Sequence, residues 1–143
     1  MDRTLIEELG KHIGETVSIS GWVDVRRDQG KMVFFDFRDV TGTVQGVVLS
    51  EEKALLDAAK ELRAECVVTV EGMVNRRPEK NANPSVQNGN IELKIKNIEV
   101  LSLADPNLPI QVHEKNENEA AQQHRLDWRW IDLRKPENAL IFK

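Results

Sequence analysis

VSISGWVDVRRDQGKMVFFDFRDVTGTVQGVVL, residues 17–49, is the stretch on which the fold turns. Val17, Ile19, Val23 and Val25 recur at every second position, with Gly21 between them, while Ser18, Ser20, Trp22, Asp24 and Arg26 fill the alternate positions. A period of two places these sets on opposite faces of a strand. Asp28-Gln29-Gly30 reads as a turn. The alternation resumes over 32–39, where Val33, Phe35 and Phe37 face one way and Met32, Phe34, Asp36 and Arg38 the other. Thr41-Gly42 turns the chain into a third strand, 43–49, with Val44, Gly46 and Val48 inward and Thr43, Gln45 and Val47 outward, so that the last two strands form a hairpin.

The flanks complete the pattern. Residues 4–11 read as a short helix: Thr4 and Glu7 have capping-box spacing, Leu5, Ile6 and Leu9 form an apolar stripe, and Gly10 and Gly14 bracket its end. Leu55, Ala58, Ala59 and Leu62 have helical spacing within 51–64. A fourth strand over 66–75 turns Val68, Val70 and Val74 inward and Thr69, Glu71 and Asn75 outward. Residues 76–90, with Pro78, Pro84 and Gly89, read as a long loop. A fifth strand over 91–100 puts Ile91, Leu93 and Ile95 inside and Glu92, Lys94 and Lys96 outside, with an irregularity near Asn97 where the apolar phase shifts. Three strands, a helix and two strands is the order of an OB-fold. The predicted class is therefore all-β with helices: a five-stranded Greek-key barrel with a leading N-terminal helix and a helix between strands 3 and 4.

The barrel is expected to occupy 1–102. Residues 103–143 are expected to form a linker or hinge, with Pro106, Pro109 and a polar run from His113 to Glu119, and then the start of another domain. Pro136 suits the first turn of a helix that would continue through Ala139, Leu140, Ile141 and Phe142. These apolar residues have nothing after them to cover them, so the chain reads as cut short, with its next domain missing.

Composition narrows the function classes. At 143 residues with 40% hydrophobic and 31% charged side chains, the chain can bury a core without disulfides or metals. No apolar run approaches the ~18 residues of a membrane span. The mixed, acidic start MDRTLIEELGKH is not a signal or transit peptide, which points to the cytoplasm and away from membranes. Cys66, the one cysteine, sits in an apolar run and reads as a buried thiol in a reducing compartment. His12, His113 and His124 have no metal-ligand spacing, so no metal site and no catalytic residue is expected. A net charge of −4 is not the footprint of a non-specific nucleic-acid binder, so any RNA contact must gather its positive charge locally.

The outward face offers such a place. Phe34 is a large aromatic among polar neighbours, and an aromatic ring can stack on a splayed base. Gln45 offers both a donor and an acceptor to a base edge, and Glu92 can accept from base amino or imino groups. Arg26, Arg27 and Lys31 flank the first turn, and Arg76, Arg77 and Lys80 open the long loop. Beside this stands a bland reading. Phe34 could be covered by a loop, Gln45 and Glu92 merely solvated, and the cations paired with acids such as Asp28 and Glu79. Trp22 is expected to pack under the leading helix.

GWVDVRRDQGKMVFFDFRDVTGTVQ (21–45) resembles the opening of class II aminoacyl-tRNA synthetases of the aspartate, asparagine and lysine group, with Phe37 where Leu is commoner in the DLRD element. RRPEKN (76–81) and RLDWRWIDLRKP (125–136) resemble the loop and the inter-domain joint of the aspartyl members. The resemblance covers nearly the whole chain. It implies an anticodon-recognition domain of an aspartate–tRNA ligase, with tRNA(Asp) as partner and tRNA(Asn) as a further one, since the two anticodons differ only in the third base. It also implies a full-length homodimer that uses ATP and Mg²⁺, and no cofactor in this part. By the same resemblance Phe34 stacks on an anticodon base, Gln45 and Glu92 contact bases, Arg27 and Arg77 match cationic positions, and Arg63, Asn81 and Asn83 match positions near the anticodon loop. Asn90 departs from the Glu frequent in bacterial members. RRD and RRPEKN look bacterial, whereas RLDWRW and ALIFK are nearer archaeal forms. The competing readings are an asparaginyl or lysyl member of the group, a free-standing OB module for single-stranded nucleic acid, and a protein-interaction barrel in which Phe34 would be buried.

Overall fold

The computed structural model describes residues 2–105, 107, 108, 112 and 122–140, which fall into two compact units, Met1–Ala104 and Asp105–Lys143. Residues 113–121, and Ile141 and Phe142 of the expected last helix, lie outside the described residues. The first unit holds β1 (Thr16–Gln29), β2 (Met32–Arg38), β3 (Thr43–Val48), α1 (Lys53–Lys60), β4 (Val67–Arg76) and β5 (Ile91–Ser102). The strands close into a barrel in the order β1-β2-β3-β5-β4, with β3 and β5 parallel and every other pair antiparallel. This is the five-stranded OB-type barrel read from the sequence.

Closure depends on β1 serving two neighbours. Thr16–Trp22 pair with β4, and Trp22–Gln29 pair with β2. At the crossing, a Cβ on Gly21 would lie 2.2 Å from the Arg38 carbonyl oxygen, so only glycine permits this approach. β1 also runs farther than expected. Arg27 and Asp28 are ladder residues, and the hairpin closes through Gly30 and Lys31, with Gly30 at φ +63°.

Inside, Phe35 and Phe37 stack at 5.3 Å between ring centroids, surrounded by Ile19, Val23, Val70, Leu93 and Ile95. Each such side chain contributes about 1.5–3 kcal/mol on leaving water. Cys66 is buried, as expected. The irregularity anticipated near Asn97 is a register shift that leaves Lys96 unopposed between the Glu71–Asn97 and Gly72–Ile95 pairs. β5 continues to Ser102, two residues beyond its expected end at 100.

Two helical expectations need correction. The leading element is a 3-10 helix, Ile6–Lys11, and its N-cap Leu5 makes no side-chain cap bond. Its cap comes from the far end of β2: Asp39 Oδ2 accepts from the Ile6 N–H at 3.0 Å, and Thr41 Oγ1 accepts from the Glu7 N–H at 3.1 Å. Asp39 Oδ1 meanwhile accepts from Thr41 N, Thr41 Oγ1 and Gly42 N at 2.7, 2.6 and 3.1 Å, so one carboxylate caps a helix and shapes a turn. Local spacing could not show a partner 33 residues away. α1 is shorter than 51–64, and it buries Leu56 and Ala59 while Ala58 stays exposed. Arg26 donates to the carbonyls of Lys60 and Leu62, satisfying groups at the helix end that have no partner within it.

The second unit holds α2 (Gln122–Asp127), α3 (Arg129–Asp132) and α4 (Pro136–Ala139), the last with Pro136 in its first turn. Arg125 Nε donates to Asp132 Oδ2 at 3.2 Å, and Asn138 Nδ2 donates to the Asp132 carbonyl at 3.2 Å. The Trp128 and Trp130 rings lie 5.2 Å apart. No helix among the described residues is long and apolar enough to cross a membrane.

Candidate nucleic-acid interface

The outward face of β1, β2 and β3 owes its composition to a bulge. Val23 opposes Phe37, but Val25 opposes Asp36, so Asp24 is the extra residue. Had the register continued, Arg26 would stand beside Phe34. The bulge puts Arg27 there, sends Arg26 towards α1, and moves Val25 from its expected core position to the outward row of Asp36.

Cross-strand partners then define two neighbouring rows. One runs Arg27, Phe34, Val47, Lys94 and Met73; the other begins Val25, Asp36 and Gln45. Gly46 opposes Leu93 and Val47 opposes Lys94, so one step back Glu92 continues the second row beside Gln45, with Asn75 opposite it. Phe34 is half-buried, neither enclosed in the core nor fully open. Val47, expected outward and accessible, is only 3% exposed. Its ladder neighbours are Phe34 and Lys94, two side chains long enough to reach over it.

A polar cluster joins the rows. Arg27 Nη1 and Nη2 donate to the two Asp36 oxygens at 3.1 and 3.2 Å, and Nη2 also donates to Gln45 Oε1 at 3.3 Å. Farther along β2 the same face closes over. Arg38, expected to be a surface residue, is buried, donating to Asp24 Oδ1 and Glu65 Oε1 at 2.7 Å each. Its guanidinium carbon lies 5.3 Å from the Trp22 ring centroid, so Trp22 is half-buried as an Arg38 platform. Arg26 has the bland role: besides its bonds to the α1 end, its Nε lies 3.4 Å from Asp28 Oδ1.

The loop after β4 packs back on the barrel. Arg77 donates through its backbone N–H to the Asn90 carbonyl at 2.9 Å and through Nε to the Ile91 carbonyl at 2.9 Å, which fixes it at the start of β5 near Glu92. Asn88, at φ 55°, donates to the Thr43 carbonyl at 2.9 Å. Asn83 Oδ1 accepts from Ser85 N and Oγ at 3.2 and 2.6 Å, so that side chain serves the loop's own turn. Asn81 is exposed at the end of the short 3-10 turn Glu79–Asn81. Arg63 follows α1, and its carbonyl accepts from the Cys66 N–H.

Arg27, Phe34, Gln45 and Glu92 therefore share one face, and Arg77 borders it. Arg63, Asn81 and Asn83 lie outside the strand ladders. Asp36 and Lys94 belong to the face but were not among the expected site residues. Alternation had put both outward, but only the pairing register shows whose neighbours they are. Among the described residues no three His, Cys, Asp or Glu side chains gather where they could hold a metal ion.

The family model for an OB-fold nucleic acid binding domain of the tRNA anticodon type matches residues 17–101. An aspartate–tRNA(Asp/Asn) ligase of Prochlorococcus marinus subsp. pastoris is 37% identical over 137 residues, covering 94% of this chain and 23% of the relative. Aspartyl-tRNA synthetase of Entamoeba histolytica superposes with a TM-score of 0.87 at 27% identity, over 99% of this chain and 34% of the other. Asparaginyl-tRNA synthetase of Pyrococcus horikoshii, complexed with asparaginyl-adenylate, gives a TM-score of 0.80 at 27% identity, over 99% and 31%. The chain thus spans about a fifth of the length of the curated relatives it matches.

Proposed function

We propose, for a chain that belongs to the tRNA anticodon-binding OB-fold family, that it recognises the anticodon loop of tRNA(Asp) on behalf of an aspartate–tRNA ligase. The observation that carries this reading is the shared face of Phe34, Gln45, Glu92 and Arg27. Phe34 supplies a stacking platform. Gln45 and Glu92 meet base edges, and Arg77, with Arg27 nearer the bases, offers positive charge to the backbone, the usual division of work when single-stranded RNA is read. Arg63, Asn81 and Asn83 are assigned outer contacts with the loop. Four solvent-accessible residues on a chain of net charge −4 also fit reading by stacking and edge contact better than a broad electrostatic grip.

The ligase reaction, with its ATP and Mg²⁺, belongs in this proposal to a full-length cytoplasmic homodimer, and this barrel contributes recognition alone. Relatives named for both tRNA(Asp) and tRNA(Asn) favour a second, wider reading in which the two anticodons, GUC and GUU, are accepted alike.

Titration with anticodon stem-loops carrying GUC, GUU and a lysine anticodon, at one fixed salt concentration, tests both. Tight binding of GUC alone is expected for a discriminating protein, and equal binding of GUC and GUU for the wider reading. Equal binding of all three would overturn specific anticodon recognition by this chain, and binding of none would overturn the proposal altogether.

A further inference from the structure

We propose that Asp36 is a positioning residue for base selection: by holding the Arg27 guanidinium it fixes which end of the Gln45 amide faces the RNA, so that Gln45 selects a base edge bearing a carbonyl oxygen. This rests on the anticodon reading above and specifies the chemistry of that same face.

The argument begins with the fork between Arg27 and Asp36. Two parallel N–H donors meet two carboxylate oxygens at 3.1 and 3.2 Å, which sets the plane of the guanidinium as well as its position. Asp36 is directly opposite Gln45 across the β2–β3 ladder, and Arg27 is opposite Phe34, two residues before Asp36 on β2. The fork therefore brings Nη2 within 3.3 Å of the Gln45 amide. A guanidinium carries five donors and no acceptor. The amide atom it meets must be the oxygen, which leaves Nε2 and its two donors at the other end of a half-exposed side chain.

Phe34 and Gln45 are diagonal neighbours on adjacent strands, because Phe34 opposes Val47 and Gln45 is two residues before it. That separation is within reach of long side chains. A base stacked on Phe34 would thus turn its edge to the Nε2 donors. Uracil and guanine present carbonyl acceptors at O4 and O6, where cytosine and adenine carry amino donors. Pairing with Arg27 also offsets the Asp36 charge, which would otherwise repel an incoming carbonyl or phosphate. Without Asp36 the guanidinium loses its fixed plane, the amide can present either end, and donor selectivity fades while the stacking platform remains.

The test measures dissociation constants of the 143-residue chain for stem-loops carrying GUC, GCC and AUC, in which U→C and G→A each replace a carbonyl by an amino group. The wild type is expected to prefer GUC over at least one substituted loop by about tenfold or more, the scale of one good edge contact. Asp36→Ala should reduce that ratio to within about threefold in a chain that still unfolds cooperatively within a few degrees of the wild type, a change in selectivity that a purely structural role would not produce. Gln45→Glu keeps an oxygen for Arg27 but turns an acceptor outward, and should shift the preference towards the amino-bearing loop. An unchanged ratio in Asp36→Ala, or in Gln45→Glu should Asp36→Ala fail to fold, would overturn the proposal. So would a wild type that prefers GUC to a lysine anticodon yet shows no carbonyl preference, and there the anticodon reading would survive. A wild type that binds none of the loops overturns both.

Discussion

Two positions on one face of β2 each enter an arginine–carboxylate pair and put it to different uses. Asp36 and Arg38 are two residues apart, so alternation gives them one side of the sheet. At the Asp36 end the ion pair is open: Arg27 and Asp36 side chains are 42% and 31% exposed. At the Arg38 end it is closed: Arg38 and Glu65 side chains are 8% and 3% exposed, and Asp24 and the Trp22 ring complete the enclosure. The difference arises from what lies beyond the strand. Around Arg38, β1 crosses from one neighbour to the other and the chain entering β4 folds over, with Glu65 in a left-handed conformation at φ 71°. At the Phe34 end the hairpin projects to Gly30 and leaves the face available. Face alone does not assign function. The same strand supplies a structural knot at one end and a surface able to meet a ligand at the other.

The largest effect should come from breaking the closed end. Arg38→Met leaves the buried Glu65 and the partly buried Asp24 without the guanidinium that both accept from, and should destabilise the barrel by about 3–5 kcal/mol in urea unfolding. A loss below about 1 kcal/mol would put this pair on a par with an exposed one and erase the contrast. The intermediate effect belongs to the open face. Phe34→Ala should weaken binding to the GUC stem-loop by about 1–3 kcal/mol in a chain that still unfolds cooperatively. If the variant instead fails to fold, Phe34 is packing rather than platform. The smallest effect sharpens the comparison. Asp36→Asn removes the exposed ion pair and should change unfolding stability by only about 0.2–1 kcal/mol, although the same carboxylate is assigned control of base selection.

Much of the barrel was legible because its signals are local. Alternation identified Val33, Phe35 and Phe37 as core, and turn residues separated β2 from β3. The outward placement of Phe34, Gln45 and Glu92 was likewise legible, with Phe34 a large apolar side chain set apart from the core face, while their part in binding belongs to the proposal. The errors occurred where one residue changed the phase or a distant partner intervened. Val25 was misread because the extra residue at Asp24 is visible only against β2. Arg38 was misread because its acids come from β1 and from the chain before β4. Thr4 was credited with a cap that Asp39 and Thr41 provide.

The sequence by itself determined the number and order of strands, the composition of the core and the identity of the aromatic set apart from it, since side-chain period and turn chemistry are properties of neighbouring residues. Only the tertiary structure decided that Arg27 rather than Arg26 stands beside Phe34, that Arg38 is enclosed while Asp36 stays open, and that the Gln45 amide oxygen meets the Arg27 guanidinium. These depend on register and closure, which are relations between strands far apart in the chain, and a shift of one residue reverses them.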